Sequence, residues 1–265
     1  MQQMPANSTV DDAEVARFAK LAERWWDPAG EQRALHKLNP VRLQFIRDHL
    51  ARRFGRDIRA PTPFAGLRLL DIGCGGGLVS EPMARLGFAV TGIDAGADLL
   101  AIARSHAAET GLAIDYRQST VEDLAATGAL YDAVLALEVV EHVADPAFFL
   151  SAAARLVAPG GAFIASTINR TAKAFLLAVV GAEYVMGWLP RGTHDWRKFR
   201  RPSEMAAALR SQGFAVVGLS GLSYAPTTGG WRLSDDLEVN YLLYAHRQAQ
   251  PPISKSSCRA GNSTL

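Results

Sequence analysis

Cysteine is almost absent from the 265-residue chain, which contains only Cys74 and Cys258. Two cysteines cannot form the disulfide framework that stabilises many secreted proteins, and so few favour a reducing compartment. Residues 1–8 are mostly polar and lack the apolar stretch of a secretory signal peptide. These absences predict a cytoplasmic protein.

The chain also lacks a strong charge excess and an uninterrupted membrane span. Its net charge of +2 does not indicate the basic face of a nucleic-acid-binding protein, so no nucleic-acid partner is expected. Residues 171–189 are largely apolar, but Lys173 and Glu183 interrupt them, and a transmembrane helix is therefore not expected. With 49% hydrophobic and 20% charged residues, the composition is that of a soluble globular protein.

Glycine is concentrated where an apolar run, residues 69–72, ends abruptly. Gly73, Gly75 and Gly77 form the pattern GxGxG, and residues 78–81 then open a helix. Glycine allows the backbone to turn sharply and to approach a ligand, and a helix start offers free N–H groups. The pattern lacks the last glycine of the dinucleotide fingerprint and the Gly-Lys-Ser/Thr of a phosphate-binding loop. It therefore argues against an NAD-dependent oxidoreductase.

An acidic residue ends the next apolar run. Asp94 follows Gly75 by 19 residues and lies at the tip of a predicted strand, 88–93. In nucleotide-binding α/β folds, an acid at this point accepts hydrogen bonds from ribose hydroxyls. Alone, Asp94 could equally cap the following helix. Together with the glycine turn and Asp71, which precedes it, Asp94 indicates a nucleoside site.

Short apolar strands alternate with helices from residue 67 onwards. Such alternation predicts an α/β fold with a doubly wound, mostly parallel, seven-stranded sheet. The last two strands lack an intervening helix, which favours an antiparallel hairpin that closes the sheet. The predicted strands lie near 67–72, 88–93, 112–117, 131–137, 161–167, 214–222 and 237–246.

The remaining segments give the domain organisation. Residues 11–247 are expected to form one domain, with a helical cap at 11–60 and an insertion at 170–201 after the fifth strand. The insertion combines apolar and aromatic residues with a basic cluster, as in segments that lie in a membrane interface, but a lid over an apolar substrate is equally compatible. Residues 1–10 and 248–265 are expected to be disordered.

Three side chains that can carry chemistry follow the fourth strand. Glu138, Glu141 and His142 are spaced so that a helical turn would place them on one face. Two carboxylates and one imidazole could hold Mg²⁺, Mn²⁺ or Zn²⁺. His142 could instead act without a metal as a general base, since its ordinary pKa is near neutrality. The acids could also simply favour the start of a helix.

Six stretches form a recognisable set of motifs. They are Phe18-x-x-Leu21-Ala22-x-x-Trp25-Trp26-Asp27-Pro28, Leu35-His36-x-x-Asn39-Pro40-x-Arg42, Leu70-Asp71-Ile72-Gly73-Cys74-Gly75-Gly76-Gly77, Gly92-Ile93-Asp94, Glu138-x-x-Glu141-His142-Val143-x-Asp145-Pro146 and Asp235-x-x-Glu238-Val239-Asn240-Tyr241. The set resembles the ubiquinone-biosynthesis O-methyltransferases, which are class I enzymes that use S-adenosylmethionine. The resemblance covers about residues 14–246.

This resemblance implies methylation of ring hydroxyls on polyprenylated, catechol-type ubiquinone precursors. It also implies a divalent metal, with Mg²⁺ as the first candidate, at Glu138, Glu141 and His142, which are then the catalytic residues. Peripheral contact of 170–201 with the inner face of the cytoplasmic membrane, if the source is bacterial, and other ubiquinone-pathway enzymes as partners are implied as well. The expected S-adenosylmethionine-binding residues are Arg42, Asp71, Gly73, Gly75, Asp94, Glu122 and Leu137.

Within that set, Asp94 is expected to bind the ribose, Arg42 the methionine carboxylate and Glu122 the adenine amino group. A metal bound by the two adjacent oxygens of the catechol would move the pKa of the phenol from about 10 towards neutrality and thereby favour the phenolate. Two alternatives remain open at this point. One is a methyltransferase for another phenolic or carbon acceptor, and the other is a catalytically silent lipid-binding scaffold.

Overall fold

The fold is described from a computed structural model, which covers residues 8–30, 32–177, 195–225 and 230–248. The described residues form one eight-stranded sheet with helices on both faces. The strands are β1 (Arg68–Ile72), β2 (Ala89–Asp94), β3 (Asp115–Gln118), β4 (Tyr131–Leu137), β5 (Val157–Ile168), β6 (Phe214–Ala225), β7 (Gly230–Ser234) and β8 (Asn240–Arg247). The helices are α1 (Asp12–Ala19), α2 (Arg33–Phe54), α3 (Ser80–Arg85), α4 (Ala97–Glu109), α5 (Val121–Ala126), α6 (Pro146–Arg155), α7 (Ala172–Ala174) and α8 (Pro202–Ser211).

The sheet has the order β3-β2-β1-β4-β5-β8-β6-β7. Strands β1 to β5 are parallel, and β8 lies antiparallel between β5 and β6. The strand order reverses between β1 and β4, so their carboxyl ends flank a crevice of the kind that binds ligands in open α/β sheets. This topology confirms the predicted doubly wound, mostly parallel fold.

The described sheet has one strand more than the seven predicted. The additional strand, β7, pairs only with the last part of β6, from Gly221 to Ala225. It is five residues long, begins with Gly230 and follows Pro-Thr-Thr-Gly at 226–229, a sequence that is typical of a turn. The predicted antiparallel pairing of the last two strands corresponds to β6 and β8, and β7 is an addition at the sheet edge.

Both faces of the central strands are buried. Leu70, Val134 and Phe163 belong to the core on the side of α6 and α8, whereas their neighbours Leu69, Leu135 and Ile164 face α2. Strands covered on both faces are continuously apolar, as this sequence is. The resulting rigid sheet holds the carboxyl ends of β1, β2 and β4, and hence the residues that follow them, in fixed positions.

The N-terminal region differs from its prediction in two ways. The helical cap predicted at 11–60 is interrupted, because α1 ends at Ala19 and only a short 3₁₀ turn, Ala22–Arg24, follows before the buried Trp25. Thr9, which was expected in a disordered terminus, is also buried. Residues 1–7 and 249–265, the rest of the segments expected to be disordered, lie outside the described residues.

None of the described helices has the length and apolar character needed to cross a membrane. The insertion predicted at 170–201 is described only at its two ends, because residues 178–194 lie outside the described residues. Its first end contains α7, and its second contains a 3₁₀ turn, Trp196–Lys198.

Candidate active site

The glycine turn leads from β1 to α3 with backbone conformations that favour glycine. Gly73 has φ +67° and Gly75 has φ +52°. A Cβ atom on Gly73 would lie 2.5 Å from Cγ2 of Val139, and one on Gly75 would lie 2.5 Å from the ring of Trp25. Both positions thus require glycine for conformation and for space.

Asp94 lies beside this turn, as its spacing predicted. Its Oδ2 accepts a hydrogen bond from the N–H of Gly75 at 2.9 Å, and its Oδ1 accepts one from the N–H of Gly96 at 2.8 Å. Burial raises the pKa of Asp94, while these backbone donors oppose the rise. The carboxylate is therefore fixed at the edge of the crevice, with lone pairs left for a ligand.

Asp71 stabilises the turn by a hydrogen bond between the two elements that flank it. Its Oδ2 accepts a hydrogen bond from the hydroxyl of Ser80 at 2.6 Å, which joins β1 to the start of α3. Burial raises the pKa of Asp71 to about 6, although the Ser80 hydrogen bond and the charge of Arg42 act in the opposite direction.

Two further predicted cofactor residues carry buried polar atoms that have no hydrogen-bond partner among the described residues. Arg42, only 3% exposed, donates from Nη2 to Oδ1 of Asn39 at 3.0 Å, and its Nε lacks a partner. Glu122 accepts a hydrogen bond from the Thr9 hydroxyl at 2.6 Å, and its Oε2 lacks a partner. Buried polar groups are normally satisfied, so both atoms suit a bound polar ligand.

The N-terminal motifs pack onto the glycine turn. The indole N–H of Trp26 donates to the carbonyl of Gly76 at 3.0 Å, and the side-chain amide of Asn39 donates to the carbonyl of Leu78 at 2.8 Å. Trp25 lies directly against Gly75 and Gly76. In the sequence these residues only indicated a family. In the structure they cover the glycine turn.

Glu138 and Glu141 come together after β4. Glu138 adopts φ +55°, and its Oε1 accepts a hydrogen bond from the Ser166 hydroxyl at 2.6 Å. Glu141 is buried and accepts a hydrogen bond from the Thr167 hydroxyl at 2.7 Å, while its Oε1 has no hydrogen-bond partner among the described residues. Burial, and then the neighbouring charge of Glu138, raises the pKa of Glu141 well above its usual range.

The helical turn that was predicted to carry Glu138, Glu141 and His142 on one face is not formed. The left-handed conformation of Glu138 prevents a continuous helix, and a 3₁₀ turn begins only at Val140. Nδ1 of His142 lies 3.3 Å from Oε2 of Glu14 and 3.4 Å from Nη2 of Arg17, both on α1. No group of three His, Cys, Asp or Glu side chains in the described ranges is arranged to hold a metal ion.

Sequence reasoning missed Glu14. It contacts His142, Arg17 and Lys198, whose Nζ lies 3.4 Å from Oε1 of Glu14. Burial alone would raise the pKa of Glu14, but the hydrogen bond and charge of His142, with the charges of Arg17 and Lys198, lower it overall. Because these partners lie as far as 184 residues away, no local pattern could reveal them.

A cavity of about 770 Å³ joins these groups. Gly73, Asp94 and Glu122, which lie at or after the ends of the neighbouring strands β1, β2 and β3, line the end beyond these strands, and Leu137, at the end of β4, lies on the cavity wall. Glu138 and Glu141, which hydrogen-bond to Ser166 and Thr167 of β5, line the end on the side of β5. His142 and residues of β6 and β7 also line the cavity. The structure thus brings every predicted site residue to one cavity, of a size typical for small-molecule sites.

A crevice with a glycine turn, an acid at the tip of β2 and an adjoining region with two glutamates and a histidine fits a methyltransferase of the Rossmann-like class. The family model described as a methyltransferase domain matches residues 34–219. In the crystal structure of magnesium protoporphyrin IX methyltransferase from Synechocystis with bound SAH, the fold is similar, with a TM-score of 0.63 at 20% identity over 90% of this chain and all of that chain.

Sequence relatives narrow the class. The chain is 56% identical to a ubiquinone biosynthesis O-methyltransferase of Paramagnetospirillum magneticum over 89% of this chain and 94% of the relative. It is 53% identical to one of Cereibacter sphaeroides over 92% of this chain and 99% of the relative. The chain therefore belongs to the ubiquinone biosynthesis O-methyltransferase family, and the resemblance and the enzyme class predicted from the motifs, an S-adenosylmethionine-dependent O-methyltransferase, are confirmed.

Proposed function

We propose that this chain transfers the methyl group of S-adenosylmethionine to a ring hydroxyl of a polyprenylated catechol in ubiquinone biosynthesis. The observation that carries the proposal is the single cavity, which joins a nucleoside-type end to an end with acid and base groups and an apolar continuation. The names of the relatives agree with this substrate class.

The cofactor end offers one group for each part of S-adenosylmethionine. Asp94 would accept hydrogen bonds from the ribose hydroxyls, and the buried guanidinium of Arg42 would pair with the methionine carboxylate. Glu122 would accept from the adenine amino group through its Oε2, which has no hydrogen-bond partner among the described residues. Gly73 and Gly75 would let the backbone approach the ligand closely, and Leu137 would contribute to the wall.

Because the sulfonium of S-adenosylmethionine already makes its methyl group electrophilic, the chain must mainly align and deprotonate the acceptor. His142 is the proposed base for the hydroxyl proton, since it lines the cavity together with Glu138 and Glu141 and an imidazole can accept a proton. Glu14 would orient the imidazole through Nδ1 and stabilise its protonated form. Trp25 and the apolar lining would exclude water from the reacting groups.

The family resemblance also implies a divalent cation in the site. The crowded carboxylates of Glu138 and Glu141, and the Glu141 Oε1 that has no described hydrogen-bond partner, suit two ligands of such a cation. His142 does not complete this set in the described arrangement, because it faces Glu14. A cation at the carboxylate pair would supply positive charge that favours the ionised catechol.

The test is methyl transfer from labelled S-adenosylmethionine to a short-prenyl catechol, before and after exhaustive chelation and with Mg²⁺ added back. We expect transfer that falls on chelation and recovers with Mg²⁺. If chelation does not change the rate of transfer, the cation has no role in the reaction and His142 remains as the deprotonating group. Cofactor binding without transfer to any catechol would contradict the proposed acceptor.

We also propose membrane contact through the ends of 170–201. Leu176 is 58% exposed and Trp196 is 40% exposed, and the second end is rich in arginine and lysine. Exposed apolar side chains beside basic ones suit an interface with anionic lipid. Co-sedimentation with anionic vesicles, compared with neutral ones, checks this proposal, and equal absence from both pellets would contradict it.

A further inference from the structure

Several large apolar side chains that line the cavity are partly exposed to solvent. Leu177 follows α7, lines the cavity and is 49% exposed, and Tyr224 of β6 lines it and is 38% exposed. Trp231 of β7 is half-buried and lines the same cavity. The cavity therefore meets solvent among large apolar side chains.

Tyr224 and Trp231 occupy directly opposite positions in the hairpin. Their ring centroids lie 5.6 Å apart, with the ring planes inclined by 59°. Side chains at opposite positions point to the same face of the sheet, and for this pair it is the cavity face, since both rings line the cavity. The two rings therefore present one continuous aromatic surface.

The apolar surface continues inward along the same face. Leu222, two residues before Tyr224 on β6, is buried and also lines the cavity. Its N–H donates to the side-chain oxygen of Asn240 at 3.2 Å, so the strand is fixed at this depth. Asn240 pairs with Ile168 of β5, and the two residues before Ile168 bind Glu138 and Glu141, near which the reacting ring would be held.

This order of side chains matches an acceptor with a polar ring and a long hydrocarbon substituent. Charged groups lie at the inner position, whereas aromatic and aliphatic groups lie at the opening, where apolar surface removed from water stabilises binding. We propose that Tyr224 and Trp231 form the subsite for the isoprenoid tail and make turnover depend on tail length. This inference rests on the proposed function.

The experiment compares catechols that carry no tail, one isoprene unit and three isoprene units. The native enzyme should have the highest kcat/KM on the longest tail. Trp231→Ala and Tyr224→Ala should each lower kcat/KM on the three-unit acceptor by about tenfold, mainly through KM, because an apolar contact of this size is lost. With the tail-free catechol, both variants should match the native enzyme.

The control is Phe148→Ala, since Phe148 has the same 38% exposure as Tyr224 but lies on α6 outside the cavity lining. Trp231→Phe should keep most of the preference for the three-unit acceptor, because phenylalanine retains an aromatic surface. Equal losses on all three acceptors would overturn the subsite and indicate a purely structural role. A native enzyme that ignores tail length would overturn it while leaving the proposed function intact. Transfer to no catechol at all would overturn the proposed function, and the subsite with it.

Discussion

Asp94→Ala is expected to abolish measurable binding of S-adenosylmethionine. The variant removes the carboxylate that would accept the ribose hydroxyls, and it leaves the N–H groups of Gly75 and Gly96 without their acceptor. Hydrogen bonds to a charged acceptor contribute about 1.5–3 kcal/mol each. The loss of two of them corresponds to a dissociation constant that is larger by at least about a hundredfold. Isothermal titration with S-adenosylmethionine measures the change.

Asp98→Ala is the matched control for this variant. Asp98 lies in the first turn of α4, only four positions further on, but it is exposed and does not line the cavity. Its replacement should leave the dissociation constant unchanged. Circular dichroism would establish that Asp94→Ala is folded. Near-normal affinity in a folded Asp94→Ala variant would refute the ribose role of Asp94.

His142→Ala is expected to lower kcat by about 10²–10⁴-fold, the usual contribution of a positioned acid–base group. The binding of S-adenosylmethionine should be unchanged, because His142 is not among the groups proposed to bind it. Rapid-mix methyl transfer with saturating acceptor measures kcat directly. Retention of native kcat would show that His142 does not take the proton.

Two further variants distinguish the role of the His142 imidazole from the role of Glu14, which contacts it. Glu14→Gln should lower kcat by less than His142→Ala and leave KM unchanged, since the imidazole remains but loses its charged partner. His246→Ala is the histidine control. His246 pairs with Ala162, six residues before the carboxyl end of β5, and it does not line the cavity. A Glu14→Gln variant with native kcat would remove Glu14 from the account while leaving His142 in place.

The parts of the site that sequence could predict are those fixed by local order. A glycine turn must follow β1, and an acid at the tip of β2 must lie beside it, because parallel neighbours end at the same edge of a sheet. Continuous apolar runs likewise predicted strands buried on both faces. The parallel half of the sheet and the Gly75–Asp94 contact followed from these rules.

The parts that could not be predicted depend on distant contacts. The left-handed backbone of Glu138, which prevents a regular helix from Glu138 to His142, has no signal in a Glu-x-x-Glu-His spacing that suits such a helix. Glu14 reaches His142 only because α1 packs across the cavity. Strand β7 exists because its neighbour β6 offers a free edge, and a five-residue segment after a turn carries too little pattern to indicate this.

The central claim is that one cavity joins the methyl donor to a catechol oxygen. The most direct test is to incubate the enzyme with methyl-¹³C S-adenosylmethionine and a prenylated catechol and to record the ¹³C spectrum of the product. The account predicts a single labelled methoxy carbon on the ring and an unlabelled carbon skeleton. A labelled methyl group bonded to ring carbon, or label that remains entirely in the cofactor, would contradict it.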